Sequence, residues 1–374
     1  MENKICVYTV CMNEAKFVNR WVDSMQEADR IVALVHDCTD NTEELLRARG
    51  VTIGKTHYDE WRFDVGKNDS MHLAMKEAPE CNILVFVSLD EVWDPGWADI
   101  VRKEWNENVN IACYKFVQTH DEDGNDALAT GFDWMHSNDP GWYWKYPVDE
   151  RIMSDTFEKK YLNLFDKIKL NHWPDYSVRE RKYCDLRAKA FDEYKDTPSR
   201  IALSREYSAR GMWKELYEIL KDYDIEKDEQ TTPEEKAYFC VYLANCYKNI
   251  EGLDRLRALD LYKRALELAS YLRDAYVEYG AYLCDVKCFA EAEFVLERSL
   301  VASNRIYSWL ENPDNWTCNP HIWLTVACYY QGKYFKALGY AYAAKLMSPE
   351  NSVVVGNLKL CEDKIKEILG GSSS

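Results

Sequence analysis

The hydrophobic period of this chain changes near its middle, and that change limits what it can fold into more than any other feature. Up to about residue 196, short apolar runs alternate with helical patterns. The runs are KICVYTV (Lys4–Val10), RIVALVH (Arg30–His36), VTIGKTH (Val51–His57), NILVFVS (Asn82–Ser88) and IACYKFV (Ile111–Val117). Helical spacing covers Lys16–Gln26, Thr42–Arg49 and Asn68–Glu77 between them. This alternation predicts parallel crossovers and an α/β sheet covered on both faces. Beyond Asp196 no comparable strand run occurs. A length of 374 residues suits two domains, and a hydrophobic fraction of 47% supplies core for both.

The second half repeats itself. LDLYKRALELA (Leu259–Ala269) aligns with AEFVLERSLVA (Ala292–Ala302), and the small residues Ala258 and Ala292 then fall 34 positions apart. That is the period of a tetratricopeptide repeat. Two further segments fit with less regular spacing, Gly211–Leu220 and Gly332–Asn351. The latter has a turn glycine at Gly332, close-packing alanines at Ala337 and Ala344, and Pro349 beyond the helix. An insertion, RIYSWLENPDNWTCNP (Arg305–Pro320), separates the last two units. About four helical hairpins are expected, stacked because none buries its apolar face alone; an unrelated helical bundle is the competing arrangement. Tyr207, Tyr247, Tyr262, Tyr276 and Trp323 follow helical spacing and read as packing residues.

A net charge of −17 argues against general binding to nucleic acid, which needs clustered Lys and Arg. The one basic run, RERK (Arg179–Lys182), reads first as a solvated helix surface. Thirteen cysteines occur without a CxxC pair, which predicts reduced, mostly buried thiols in a cytoplasmic setting. The sequence MENK leads straight into an apolar strand, so no signal peptide is expected, and no stretch approaches the roughly 20 apolar residues of a membrane span. The terminal GGSSS reads as a flexible tail.

Polar residues collect where the predicted strands end. Asn13 and Glu14 follow the first strand, and HDCTDNT (His36–Thr42) brings Asp37 and Asp40 after the second. FDVGKND (Phe63–Asp69) is expected to open a helix, with Lys67 and Asn68 near a diphosphate. The run NILVFV then ends in Ser88, Leu89, Asp90 and Glu91. In α/β sheets ligands bind beyond the carboxyl ends of the strands. Carboxylates grouped there beside phosphates call for a divalent cation, although Asp and Asn are also ordinary turn formers.

On VCMNEAKFVNRWVDS, HDCTDNT, WRFDVGKNDSMHLA and VFVSLDEVWDPGW, the first half resembles a family 2 glycosyltransferase of the GT-A fold, in the branch with C-terminal tetratricopeptide repeats. The resemblance spans about Ile5–Asp175, with repeats over Thr197–Leu369. It implies an inverting transfer of a sugar from a nucleotide-diphosphate sugar, usually a UDP-sugar, assisted by Mn²⁺ or Mg²⁺. The donor-binding set carried over is Val10, Asn13, Glu14, Asp37, Asp40, Lys67, Asn68, Ser88 and Leu89. HDCTD is one residue shorter than the usual pattern, which makes Asp40 the firmer of its two acids. Where the family has Asp-x-Asp-Glu, this chain has Ser88-Leu89-Asp90-Glu91. Direct metal contact therefore falls to Asp90, with Ser88 in support and Glu91 open to a local structural role. His172 in LNHWPDYS matches a family histidine that approaches the metal.

YWKYPVDERIM (Tyr143–Met153) resembles the acceptor-side Val-His-Glu segment, with Asp149 in place of His. Glu150 is the first choice for general base and Asp149 the second. The aromatic run Phe132–Pro147 fits either a sugar platform or a buried core. Expected boundaries are 1–178 for the enzyme, 179–196 for a connecting helix or linker, 197–369 for the repeats and 370–374 for the tail. The expected partners are the nucleotide sugar, a protein, peptide or saccharide acceptor, and a protein partner or second copy on the repeats. Ser88 and Asp149 also motivate an alternative, a degenerate transferase-like scaffold that no longer catalyses.

Overall fold

The computed structural model describes residues 2–121, 123–175, 183–229, 231–302 and 310–370, so the basic run Arg179–Lys182 and most of the terminal tail lie outside the described residues. The chain divides into two units, Met1–Tyr194 and Lys195–Ser374.

In the first unit, alternate residues of β1 (Ile5–Cys11) enter two different cores: Ile5 and Val7 pack on one face of the sheet, Cys6 and Tyr8 on the other. A strand in that position has no solvated side, which is why its sequence is apolar throughout. β1 pairs in parallel with β2 (Arg30–His36) on one side and β4 (Ile83–Phe86) on the other, and β2 pairs with β3 (Thr52–Thr56). Crossovers run through α1 (Ala15–Met25), α2 (Thr42–Ala48) and α3 (Phe63–Glu77). Helix α1 buries Val18, Trp21, Val22 and Met25, one stripe at helical spacing.

The sheet extends beyond the runs read from sequence, in the order β3-β2-β1-β4-β7-β6-β10-β5. The added strands are β5 (Glu91–Trp93), β7 (Asp126–Ser137) and β10 (Tyr161–His172), while β6 (Ile111–His120) continues past Val117. Strands β7 and β10 keep several exposed or half-exposed positions, and β10 shifts register against β6 between Leu164 and Lys169. Their polar residues and irregular alternation hide them from a pattern search. A hairpin of β8 (Trp142–Lys145) and β9 (Arg151–Ser154) forms a second small sheet. Helices α4 (Trp97–Glu104) and α5 (Tyr183–Tyr194) complete the unit.

The second unit is entirely helical among the described residues: α6 (Thr197–Ala209), α7 (Trp213–Leu220), α8 (Pro233–Asn249), α9 (Arg255–Leu268), α10 (Arg273–Asp285), α11 (Phe289–Val301), α12 (Asn319–Tyr330), α13 (Tyr334–Met347) and α14 (Ser352–Gly370), with two short 3-10 turns. The repeat segments read from sequence form α7, α9, α11 and α13, each the second helix of a hairpin. Small residues set the close approaches: Ala258, Ala292 and Ala337 are fully buried, and a Cβ added to Gly280 would meet Leu296 Cγ at 2.3 Å. Gly332 turns α12 into α13 at φ +77°, a conformation that favours glycine. Tyr247 and Tyr262 lie inside the core, with Tyr207, Tyr276 and Trp323 packed against it.

Candidate active site

The parallel strands carry their loops to one edge of the sheet, and four groups of polar residues lie in those loops or on the helix and hairpin beside them. The first is made by β4 and β10. Chain leaving β4 turns at Leu89 and Asp90 into β5, which runs antiparallel to β10 with Glu91 opposite His172. Asp90 Oδ2 then lies 3.3 Å from His172 Nε2, and the other ring nitrogen, Nδ1, is 3.3 Å from the Gln118 carbonyl oxygen. In the neutral ring, an Nδ1–H donated to Gln118 leaves the Nε2 lone pair directed at Asp90. Burial would depress the His172 pKa, but Asp90 and Glu91 outweigh it and raise the value.

Asp90 and Glu91 are each 3% exposed. Glu91 Oε2 accepts the Ser88 amide at 2.8 Å, so this acid closes its own turn, and burial together with the charge of Asp90 pushes its pKa up to about 7. One buried carboxylate, Asp90, and a histidine whose second nitrogen is oriented by a backbone carbonyl converge as two donors of a kind that suits a hard or borderline divalent cation, with Glu91 adding negative charge beside them. Arg20 on α1 adds a cation to this edge: it donates to the Trp173 carbonyl at 2.5 Å, and its charge interacts with Asp90. Sequence reasoning missed Arg20; its place in the quoted NEAKFVNRWVDS segment is the only signal it carries.

The second group surrounds Lys67. Its Nζ is 3.4 Å from the centroid of Trp134, 4.3 Å from Phe86 and 4.5 Å from Trp144, and 3.4 Å from Glu150 Oε2. Desolvation lowers the Lys67 pKa against the pull of Glu150 and Glu91, while burial raises that of Glu150 against the pull of Lys67. Trp144 is fixed by donating its Nε1–H to Tyr8 at 3.0 Å. Of the aromatic run, Trp142, Trp144 and Tyr146 are buried, which favours the core reading over an open sugar platform.

Helix α3 corrects two expectations. It begins at Phe63, so Lys67 and Asn68 lie in its second turn rather than at its amino end. The Phe63 amide donates to the Pro147 carbonyl and that of Val65 to Asp64 Oδ1, so these end-of-helix donors are taken. Asn68 is not available to a diphosphate: its Nδ2 donates to the Trp144 carbonyl at 2.9 Å and its Oδ1 accepts the Trp144 amide at 2.8 Å. Lys67, 3% exposed, faces rings and Glu150.

The third group joins the loops after β1 and β2. Asn13, at φ +56°, accepts the Thr39 amide at 2.7 Å, and Glu14 donates its amide to Thr42 Oγ1 at 2.7 Å. Asp40 accepts the Thr42 amide and hydroxyl through Oδ1 and the Ala15 amide through Oδ2. Burial is the largest single influence and would raise its pKa, but these bonds together outweigh it and lower the value, and they make Asp40 a clasp between α1 and α2. Both acids are exposed and both have partners: Asp40 is engaged by backbone, and Asp37, its side chain 46% open, by His36 and His57.

The fourth group is Asp37 itself with His36 and His57, beside Trp61 and Tyr58. Val10 is half-buried against α3, where a Cβ on Gly66 would approach it to 3.3 Å. The Leu89 side chain is fully buried in the core, so only its backbone can face a ligand, a second correction to the donor set. Asp149, at φ +56°, is held by Arg187 through bonds of 2.6 and 2.8 Å, an ion pair that removes it from the role of a free base.

A twisted sheet of this order, acids gathered at its carboxyl edge and helical hairpins following, has a GT-A-like architecture joined to helical repeats. Residues 6–184 match Glycosyl transferase family 2, so the first unit is a family 2 glycosyltransferase domain. No curated protein matches the chain. Among solved structures, a thermophilic TPR protein from Thermus thermophilus is similar at 17% identity, covering 48% of this chain and 88% of that one with a TM-score of 0.37. YrrB, a TPR protein with an unusual peptide-binding site, is similar at 16% identity over 47% and 81% of the two chains, with a TM-score of 0.35. No helix among the described residues is long and apolar enough to cross a membrane.

Proposed function

We propose that the first unit transfers a sugar, with inversion, from a nucleotide-diphosphate sugar, a UDP-sugar by preference, to a protein, peptide or saccharide acceptor. The observation that carries this reading is the meeting of Asp90 and His172 beside Glu91 at the carboxyl end of β4, within a family 2 domain. Asp90 and His172 would hold Mn²⁺ or Mg²⁺. When bound, the cation neutralises the diphosphate and so stabilises it as a leaving group.

The remaining roles belong to the chain. Ser88 supports the ribose as a neutral hydrogen-bonding group, and Asn13, Glu14 and Asp40 shape the loop that receives the nucleoside. Glu150 accepts the proton of the acceptor hydroxyl as that oxygen attacks the anomeric carbon and the nucleoside diphosphate departs from the opposite face. Burial raises the Glu150 pKa and so makes it a stronger proton acceptor, while Lys67 opposes that rise without cancelling it. The repeats recruit the acceptor or a protein partner. Thirteen cysteines without a disulfide among the described residues support a reducing, cytoplasmic location.

The test is nucleoside diphosphate release from a donor panel, with Asp90→Asn and Glu150→Gln beside the wild type. Turnover unaffected by Asp90→Asn and by chelator would refute the metal assignment. One arrangement favours the scaffold reading instead: Lys67 already occupies Glu150, and Asn68 is locked to Trp144. Calorimetric titration with UDP and Mn²⁺ separates the two, since a scaffold shows no binding at millimolar ligand.

A further inference from the structure

We propose that His36, Asp37 and His57 form a second metal site, suited to Zn²⁺ and similar borderline ions, distinct from the one at Asp90 and His172. Parallel pairing of β2 with β3 puts His36 level with Thr56, so that Asp37 and His57, the next residue of each strand's exit, emerge side by side. One donor atom from each of the three residues lies within 4.8 Å of the others. Asp37 Oδ2 is 2.5 Å from His57 Nδ1 and 3.5 Å from His36 Nδ1.

A second observation points to a ligand. His36 is 7% exposed, yet its Nδ1 is a buried nitrogen without a hydrogen-bond partner, on the side facing the Asp37 carboxylate. Leaving such an atom unsatisfied costs stability, and a metal ion is a partner that its lone pair can take. The ring cannot readily turn away, because it stacks on Trp61 at 5.7 Å and 13° and meets Tyr58 at 5.0 Å. His57 Nδ1 is hydrogen-bonded to Asp37 Oδ2, so a metal would take the place of the proton they share, while Nε2 stands 3.4 Å from Asp59 Oδ1 on the outer side.

Two imidazoles and one carboxylate suit a tetrahedral Zn²⁺ whose fourth position is left to water, and they suit Mg²⁺ poorly, because that ion demands octahedral oxygen ligands. Donors about 2.0–2.1 Å from such an ion stand about 3.3 Å apart. His36 and Asp37 already have that separation. His57, its side chain 67% exposed, needs to retreat from Asp37 by less than about 1 Å.

The experiment is calorimetric titration of Zn²⁺ into the Asp90→Asn protein in excess Mg²⁺, which removes the candidate active-site ligand from consideration. The expected result is one Zn²⁺ per chain, with His57→Ala in the same background weakening binding by at least about tenfold, since even outer-shell partners of metal ligands contribute about 10- to 100-fold. His57 is exposed, so this variant keeps the fold, which circular dichroism verifies. Zn²⁺ affinity unchanged by His57→Ala, as cysteine binding would give, overturns the proposal; so does the absence of Zn²⁺ binding.

Discussion

Both units bury acids, but they surround them differently. In the second unit Glu293, on α11, accepts from Lys333 and Lys336 at 2.5 Å and from Gln331 at 2.7 Å, and Asp274, on α10, accepts from Tyr238 at 2.5 Å and from Asn315. In the first unit Asp90 and Glu91 stand next to each other, and each adds to the other's cost of ionisation. The second arrangement ties helices together. The first sets two like charges side by side at a sheet edge, with His172 and Arg20 against Asp90 rather than an ammonium cluster of the kind around Glu293, which is the arrangement expected where a ligand adds to the balance.

The largest test of this contrast is Asp90→Asn. Turnover should fall by about a thousandfold, several kcal/mol of charge stabilisation, while the thermal midpoint changes little, because relief of the repulsion with Glu91 offsets the lost pairing with His172 and Arg20. A folded but less stable variant with full turnover would break the comparison. Glu150→Gln should lower kcat by about a hundredfold or more, read from the same release assay, and should leave nucleotide affinity unchanged.

In the second unit Gly280→Ala forces a methyl against Leu296 and should cost about 1–3 kcal/mol in denaturant unfolding, with nucleotide binding by the first unit unaffected. Glu293→Gln is expected to cost about 1–2 kcal/mol at neutral pH. Burial would raise the Glu293 pKa, but its ammonium and amide partners outweigh this and bring it from 4.5 down to about 2. Its stabilisation is therefore complete above the unfolded value and lost as pH falls from 4.5 toward about 2. Urea midpoints of wild type and variant should converge across that window; a constant gap would remove the ion cluster from the account. The smallest effect expected is a gain: Ser88→Asp should tighten Mn²⁺ binding by about tenfold, measured by calorimetry, through one added carboxylate.

Strands β1, β2 and β4 were legible because doubly buried strands leave unbroken apolar runs, and the hairpins were legible through Ala258, Ala292 and Gly332, where only small residues fit. Strands β7 and β10 were not, since half-exposed positions and a register shift blur the alternation. The site was legible in part. Asp90 and His172, 82 positions apart, were both singled out, and their 3.3 Å approach is a consequence of β5–β10 register. Asp40 and Asn68 were read as ligand groups because their side chains are polar and their loops lie at strand ends. Their actual partners, the backbone of Ala15 and Thr42 and of Trp144, are visible only after folding. His57 drew no attention, because nothing local to it shows that β3 ends beside Asp37.

By itself, the sequence determined the division into an α/β unit and a repeat unit, and the edge of the sheet at which polar residues collect, because hydrophobic period and strand direction are local properties. Tertiary structure alone decided which polar groups at that edge remain available. Hydrogen bonds and ion pairs over long sequence distance occupy Asp40, Asn68 and Asp149, cage Lys67 against Glu150, and leave His36 Nδ1 facing Asp37 without a hydrogen-bond partner.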